Sequence, residues 1–516
     1  MKKIISLILC VILAFSLCAP ALAADSEHPT VYVIGARVTH LYNADGTLLF
    51  PHEGVDEAQV IKDAIKPCLE KLALGMLTNN YEAWAQEFYD AVIKAMGKMP
   101  LDKNGEASDG SYPEHPYNYS LPKKTSNYGT EDYRLWYDWR ISPLETAEVL
   151  KKYIEEVKEV TGEKKVNIIG RCYGANVVQA YLTLYPDHAV ANVDDVAYLS
   201  SSVDGIDILG SVFTGNIELE DQAVANFVNY YMENEELIED EGTRAFISAT
   251  VELFNDITVL GLTGDALELF IKQVRDDIFP LILKDVFAGW PSYWAMVPAD
   301  KYEQARDFIF KGVEDEYAGF IKKCDDYHFN VQLKAEETLK ELRERGIDFY
   351  IISKYNFPDF PLYKGATALS DGNTTVKRQS FGATCAEFGT VFSDWYVRTL
   401  KDKTYLSPDL KINAATCLFP ETSYFIKNMH HETFPYAINK FALDVMNSEA
   451  TVSGKQFSQY LLFNSNAALE PITGPDEDST KPSGNALSSL LRFLAEFAKF
   501  ISRLLNGELS LLPKAE

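Results

Sequence analysis

Gly170-Arg171-Cys172-Tyr173-Gly174 places a thiol midway between two glycines, each two positions from it. That spacing suits a sharp strand-to-helix turn, whose crowded backbones leave no room for side chains two residues either side of the tip. A residue at the tip is lifted clear of the sheet. The amide of the next residue, here Tyr173, then points at the place where an oxyanion would form. Cysteine attacks acyl carbon as its thiolate, which a neighbouring histidine stabilises, so the chemistry on offer is acyl transfer through a thioester. The competing reading of so short a string is a structural cysteine beside a tight turn.

The elements around this turn must carry it on a sheet. Residues 165–169 (KVNII) read as a buried strand running straight into Gly170, and helix-forming sequence resumes at 176–184. Upstream, 30–34 (TVYVI) and 134–138 (RLWYD) read as strands. Between them, 56–97 carry helical periodicity and 101–130 read as a long Pro/Asn/Gly-rich loop. An amphipathic helix follows at 144–160, with Ala147, Leu150, Ile154 and Val157 on one face. Downstream come a strand at 195–199 (DVAYL), a helix at 331–345 stopped by Gly346, a strand at 348–352 and a last strand candidate at 423–426. Strands alternating with helices predict a parallel sheet covered on both faces. Residues 206–320 carry acidic, helix-forming sequence without strand signals, which predicts a helical cap inserted between two strands.

The stretch 136–174, with YDWRISP at 137–143 and IIGRCYGA at 168–175, resembles the lecithin:cholesterol acyltransferase and bacterial lipase branch of the α/β-hydrolases. PSYWAMVP at 291–298 is similar to the Ser/aromatic/Pro segment after that branch's lid, and LYNADG at 41–46 to the loop after its first strand. The resemblance covers roughly residues 30–440 and implies the α/β-hydrolase fold, with chain order nucleophile, acid, histidine. Cys172 stands where the branch has serine. Cysteine occurs at this turn in dienelactone hydrolases and polyhydroxyalkanoate synthases, so the chemistry is feasible while the branch's substrate class does not carry over directly.

Only His430 and His431 lie late enough in the chain for the base, and His431, with Phe434 three positions on, matches the branch's H-x-x-apolar pattern. His188 reads as structural. For the acid, the lipase register over Ser370-Asp371-Gly372 selects Asp371. The acyltransferase register over Thr375-Val376 selects Asn373 instead, and Asp359 lies closer to the preceding strand. A Cys-His-Asn set is also workable, because a thiolate–imidazolium pair needs orientation more than a third charge. The second oxyanion amide is expected at Ala36, after Gly35.

Lys2 and Lys3, the apolar run 4–18 and Ala21-Leu22-Ala23 predict a cleaved signal peptide over 1–23 and hence a secreted protein. The mature chain is then a core in two parts (24–205 and 321–469), the cap (206–320), a linker (470–484) and a C-terminal amphipathic helix (485–516). That helix carries leucines on one face and Arg492, Lys499 and Arg503 among its polar positions. It is expected either to touch a membrane or envelope surface through 486–506 or to pack back on the core. A hydrophobic content of 47% supports a real core, and a net charge of −27 argues against nucleic acid as a partner. Five cysteines outside the signal form neither a disulfide scaffold nor a CxxC zinc pattern, although Cys385 and Cys417 are candidates to bridge. No metal or cofactor is expected.

The expected activity is therefore hydrolysis or transfer of an acyl group from a lipid-like ester or thioester, with Cys172, His431 and Asp371 as the triad and the Tyr173 and Ala36 amides as oxyanion donors. Two other functions fit the same scaffold: a catalytically silent binding protein for an apolar ligand, and a peptidase or amidase.

Overall fold

The computed structural model describes residues 28–51, 80–96, 99, 101–114, 120–124, 131–218, 220–234, 283–448 and 457–475, with scattered positions between 60 and 78 and at 272. The expected signal peptide, residues 476–484 of the linker and the C-terminal amphipathic helix lie outside the described residues.

Three sheets form. The strands in chain order are β1 (Thr30–Val33), β2 (Leu41–Tyr42), β3 (Leu48–Phe50), β4 (Tyr112–Pro113), β5 (Tyr133–Arg134), β6 (Val166–Arg171), β7 (Val193–Leu199), β8 (Asp348–Tyr355), β9 (Thr384–Cys385), β10 (Ile412–Asn413), β11 (Ser423–Lys427), β12 (Tyr460–Phe463) and β13 (Leu469–Pro471). The central sheet has eight strands in the order β13-β12-β11-β8-β7-β6-β1-β5, parallel throughout except for the β12–β13 pair. The chain is thus a mixed α/β protein on a mostly parallel sheet. β2, β3 and β4 form a small antiparallel sheet, as do β9 and β10.

From β1 to β11 both faces of the central sheet are buried, which is why these strands read as continuous apolar runs. Side chains alternate across it. Ile168, Val196, Tyr198, Phe349 and Ile351 face one core, with the helices Pro143–Thr161, Tyr173–Leu184 and Ala335–Glu344 packed over them. Ile169, Ala197, Leu199, Tyr350 and Ile352 face the other, under the helix Tyr436–Asn447. The helix Pro143–Thr161 is bounded as its sequence demands. Ser142 and Glu145 form a capping box, Pro143 opens the first turn, and Gly162 closes the last in a left-handed conformation.

Several expectations are adjusted. The 134–138 segment joins the sheet only at its start, Tyr133 and Arg134 lying alongside β1 and the Leu135 amide donating to the Tyr32 carbonyl at 2.9 Å, because the residues that follow are committed elsewhere. The buried Arg140 forks onto Asp138 (2.7 and 3.0 Å), the Ser111 hydroxyl (2.7 Å) and the Met99 carbonyl, and Trp139 donates to the Thr39 carbonyl at 3.1 Å. The YDWR string is therefore a knot that ties three loops together beside the sheet. The sheet also continues beyond β11. The stretch expected as a linker from Glu470 begins inside β13, where Glu470 pairs with Leu462 on an edge hairpin; β12 (YLLF) is an apolar run, while β13 (LEP) is too short and mixed to show a pattern. The 101–130 loop contributes β4. Between β7 and β8 the described residues of 206–320 contain helices, Asp207–Thr214 and Asp221–Asn234 among them, and no strand. Cys68, Cys172, Cys324, Cys385 and Cys417 are all free thiols, so Cys385 and Cys417 are not bridged.

Candidate active site

Parallel strands all deliver their carboxyl ends to one edge of a sheet, and the loops leaving those ends meet there. Here β1 leads to Gly35-Ala36, β6 to Cys172, β8 to the loop holding Asp371, and β11 to His430-His431. Gly35 and His431 stand 396 positions apart along the chain, and the sheet brings them together.

Cys172 takes φ 48° and ψ −124°, a conformation strained for any residue with a side chain. It is held there on all sides. Its amide donates to the Leu199 carbonyl at 3.0 Å and its carbonyl accepts from Ala175 at 3.0 Å. A Cβ on Gly174 would lie 2.0 Å from the Val33 carbonyl oxygen, and one on Gly170 would lie 2.9 Å from the Ala175 Cα. The two glycines of the motif are therefore steric necessities of the turn. Gly35 also comes close, since a Cβ there would stand 3.2 Å from the Cys172 Cβ and 3.6 Å from its Sγ. This brings the Gly35-Ala36 backbone alongside the sulfur. The Tyr173 amide opens the helix Tyr173–Leu184, where backbone N–H groups have no acceptor within the helix. Both expected oxyanion positions thus border the thiol.

His431 and Asp371 are buried and paired, Nδ1 to Oδ2 at 2.7 Å, and the His431 amide donates to the Asp371 carbonyl at 2.8 Å. The other carboxylate oxygen accepts from the Asn373 amide (3.1 Å) and the Thr374 amide (2.8 Å). Burial alone would raise the Asp371 carboxyl. The His431 charge and hydrogen bond, the Thr374 amide and the Lys354 ammonium together hold it below its ordinary range. Burial alone would lower the His431 imidazole, but the charge of Asp371, the nearby Cys172 sulfur and the hydrogen bond to Asp371 raise it well above its usual value. Nε2 of His431 is buried and makes no hydrogen bond of regular geometry, while the Cys172 thiol is near enough to stabilise the protonated ring.

The other candidates fall outside this pair. His430 packs edge-on against Phe357 (5.1 Å between centroids) and its ring lies over Gly372. Asn373 supplies its backbone amide to Asp371. Asp359 accepts from the Tyr363 hydroxyl at 2.7 Å, and burial raises its carboxyl to about 7. His188 bonds the Tyr181 hydroxyl (2.8 Å) and Glu155 (2.9 Å) on a helix surface, a structural role.

One wall of the site comes from the Pro291–Trp294 turn, the segment singled out in the sequence as PSYW. Burial raises the Tyr293 phenol to about 12, with Arg37 opposing and Cys172 and Glu432 adding to the rise, so Tyr293 sits among these groups. Asn176 holds that segment to the helix behind Cys172, donating to the Ala295 carbonyl at 3.0 Å. Among the described residues, no cluster of three or more His, Cys, Asp or Glu side chains is placed to hold a metal ion, and no helix is long and apolar enough to cross a membrane.

Two buried cations escaped the sequence reading. Lys354, near the end of β8, sits beneath the histidine loop, and Arg171 precedes the thiol, bonded to Asn439 (2.7 Å) and paired with Glu131 (2.6 Å). A lysine closing the apolar run FYIISK was the available signal for the first. No family model matches this chain, and no curated protein matches it.

Proposed function

We propose that this chain is an exported enzyme of the α/β-hydrolase type that transfers acyl groups from lipid-like esters or thioesters through Cys172. The observation that carries this reading is the convergence, at one sheet edge, of a strained, partly exposed thiol with a buried imidazole–carboxylate pair. The Cys172 sulfur attacks the acyl carbon, and the oxyanion that develops is met by the Tyr173 and Ala36 amides. His431, protonated at Nε2, gives its proton to the departing alkoxide or thiolate as the bond to carbon breaks. In the second half, water or an alcohol adds to the thioester, His431 takes its proton, and the carbon–sulfur bond breaks to free Cys172. Asp371 keeps the imidazole oriented and favours its charged form throughout. The helices between β7 and β8 would cover the site and select apolar acyl chains.

The test is a panel of acyl esters, monomeric and micellar, run on wild type and Cys172→Ala, with intact-mass detection of the acyl-enzyme. The other thiols are poor competitors as nucleophiles. Burial pushes Cys68 to about 11 and Cys417 to about 12, and holds Cys324 and Cys385 higher than their usual value. Iodoacetamide should therefore modify Cys172 first, and substrate should protect it. Equal turnover by Cys172→Ala would remove Cys172 as the nucleophile, and no turnover with no covalent adduct on wild type would leave the fold as a binding scaffold.

A further inference from the structure

The loop that carries His431 is held from below by one side chain. Lys354 is completely buried, and its ammonium donates to three carbonyls of that loop, those of Thr433 (2.6 Å), His431 (2.9 Å) and His430 (3.3 Å). An ammonium has three N–H donors, and all three are used. The same ammonium lies 3.4 Å from the centroid of the Phe434 ring, and the Arg171 guanidinium lies 5.2 Å from that ring, so two cations converge on the residue that closes the loop. Lys354 is also tied to the acid. Gln379 accepts from its amide (2.8 Å) and donates both to its carbonyl (3.2 Å) and to the Thr374 carbonyl (2.8 Å) beside Asp371.

We propose that Lys354 is a positioning residue for His431, its ammonium fixing residues 430–434 so that the imidazole stands between Asp371 and the Cys172 thiol. This rests on the acyl-transfer reading of the site. No carboxylate bonds Lys354 directly. The titratable and charged groups that face it are Asp371 from the loop after β8, Glu432, His430 and His431 from the loop after β11, and Arg171 and Cys172 at the end of β6. Burial lowers the lysine to about 7 despite the opposing charges of Asp371 and Glu432. Below that value the lysine holds a charge where burial disfavours it, and the desolvation offsets much of what its three hydrogen bonds contribute, so stability explains it poorly. It is explained by geometry, because carbonyls of three loop residues meet at one point only when something positive is there.

The experiment uses the full chain at pH 6, where Lys354 is charged, and two readouts that need no identified substrate: the rate of Cys172 alkylation by iodoacetamide, read by peptide mass, and the melting temperature. Lys354→Met and Lys354→Gln are compared with wild type and His431→Ala. Lys354→Met should melt no lower than wild type at pH 6, yet its Cys172 alkylation should slow on the order of 10-fold, towards that of His431→Ala, because small displacements of a partner group cost this much or more. Lys354→Gln, which keeps two of the donors, should fall between. The proposal is overturned if Lys354→Met alkylates at the wild-type rate while His431→Ala is slow. It is equally overturned if both Lys354 variants lose melting temperature in step with reactivity, which marks a structural role only. If His431→Ala itself alkylates like wild type, the acyl-transfer reading of the site fails, and the proposal with it.

Discussion

Asp371→Asn separates two assignments that the sequence alone leaves open. One Asp371 oxygen takes the Asn373 and Thr374 amides and the other faces His431 Nδ1 at 2.7 Å. An asparagine keeps its oxygen on the two amides, which leaves its NH₂ group against Nδ1. The imidazole must then offer a lone pair at Nδ1 and carry its proton on Nε2, where it cannot accept the proton of an incoming nucleophile. The charge that raises the His431 pKa is lost as well. A serine triad loses about 10⁴ from this change, and a thiol leans less on its base. The expected loss in kcat here is thus on the order of 100-fold, or about 2.7 kcal/mol of transition-state stabilisation. Asn373→Ala is the paired control. Asn373 contributes its backbone amide, which alanine retains, so kcat should change by less than about 3-fold, or 0.7 kcal/mol. Both variants are assayed on the ester that wild type turns over fastest, with circular dichroism to confirm folding. Asn373→Ala more damaging than Asp371→Asn, or Asp371→Asn within a few-fold of wild type, would refute the orienting role of Asp371.

Gly174→Ala would place a Cβ 2.0 Å from the Val33 carbonyl oxygen, 2.6 Å from the Val33 carbonyl carbon and 3.0 Å from the Ile34 oxygen, all backbone that cannot turn aside. It should cost more than about 3 kcal/mol in denaturant unfolding, and a cost under about 1 kcal/mol would contradict the packing of the turn against β1. The ionisable groups of the site set opposite pH dependences. His431, whose pKa is raised on folding, contributes stability that is fully present below about 6.5 and is lost as pH rises through its folded value. Asp371, whose pKa is lowered, contributes stability present above about 3.9 and lost as pH falls through its folded value. Lys354, lowered to about 7, works the other way from His431. Between about 7 and 10.4 the unfolded chain holds the proton and the folded chain does not, so wild type should gain stability relative to Lys354→Met across that window. Urea unfolding of both proteins at stepped pH checks the sign, and a gap that stays constant would show that Lys354 titrates normally.

Much of the sheet was legible because its strands are buried on both faces and announce themselves as apolar runs. The Gly170-x-Cys172-x-Gly174 spacing was legible because a turn that tight excludes side chains at fixed offsets. The last strand, β13, was not, because its three residues LEP on an exposed edge have neither a continuous apolar run nor a clean alternation, whereas the YLLF run of β12 does carry the signal of a short strand. His431 and Asp371 could be nominated only by their order in the chain and by resemblance, and nothing local distinguishes them from His430 and Asn373. In space the loops after β8 and β11 meet beside Cys172, and His431 and Asp371 face each other there at 2.7 Å. Lys354 shows the limit most plainly. Its chain neighbours mark it as one residue in a buried strand, and its partners are carbonyls nearly 80 positions away. Local sequence can state what a turn or a strand requires, because those requirements are met by adjacent atoms. Which distant groups share a charge, a proton or a hydrogen bond is decided only where the strands end together.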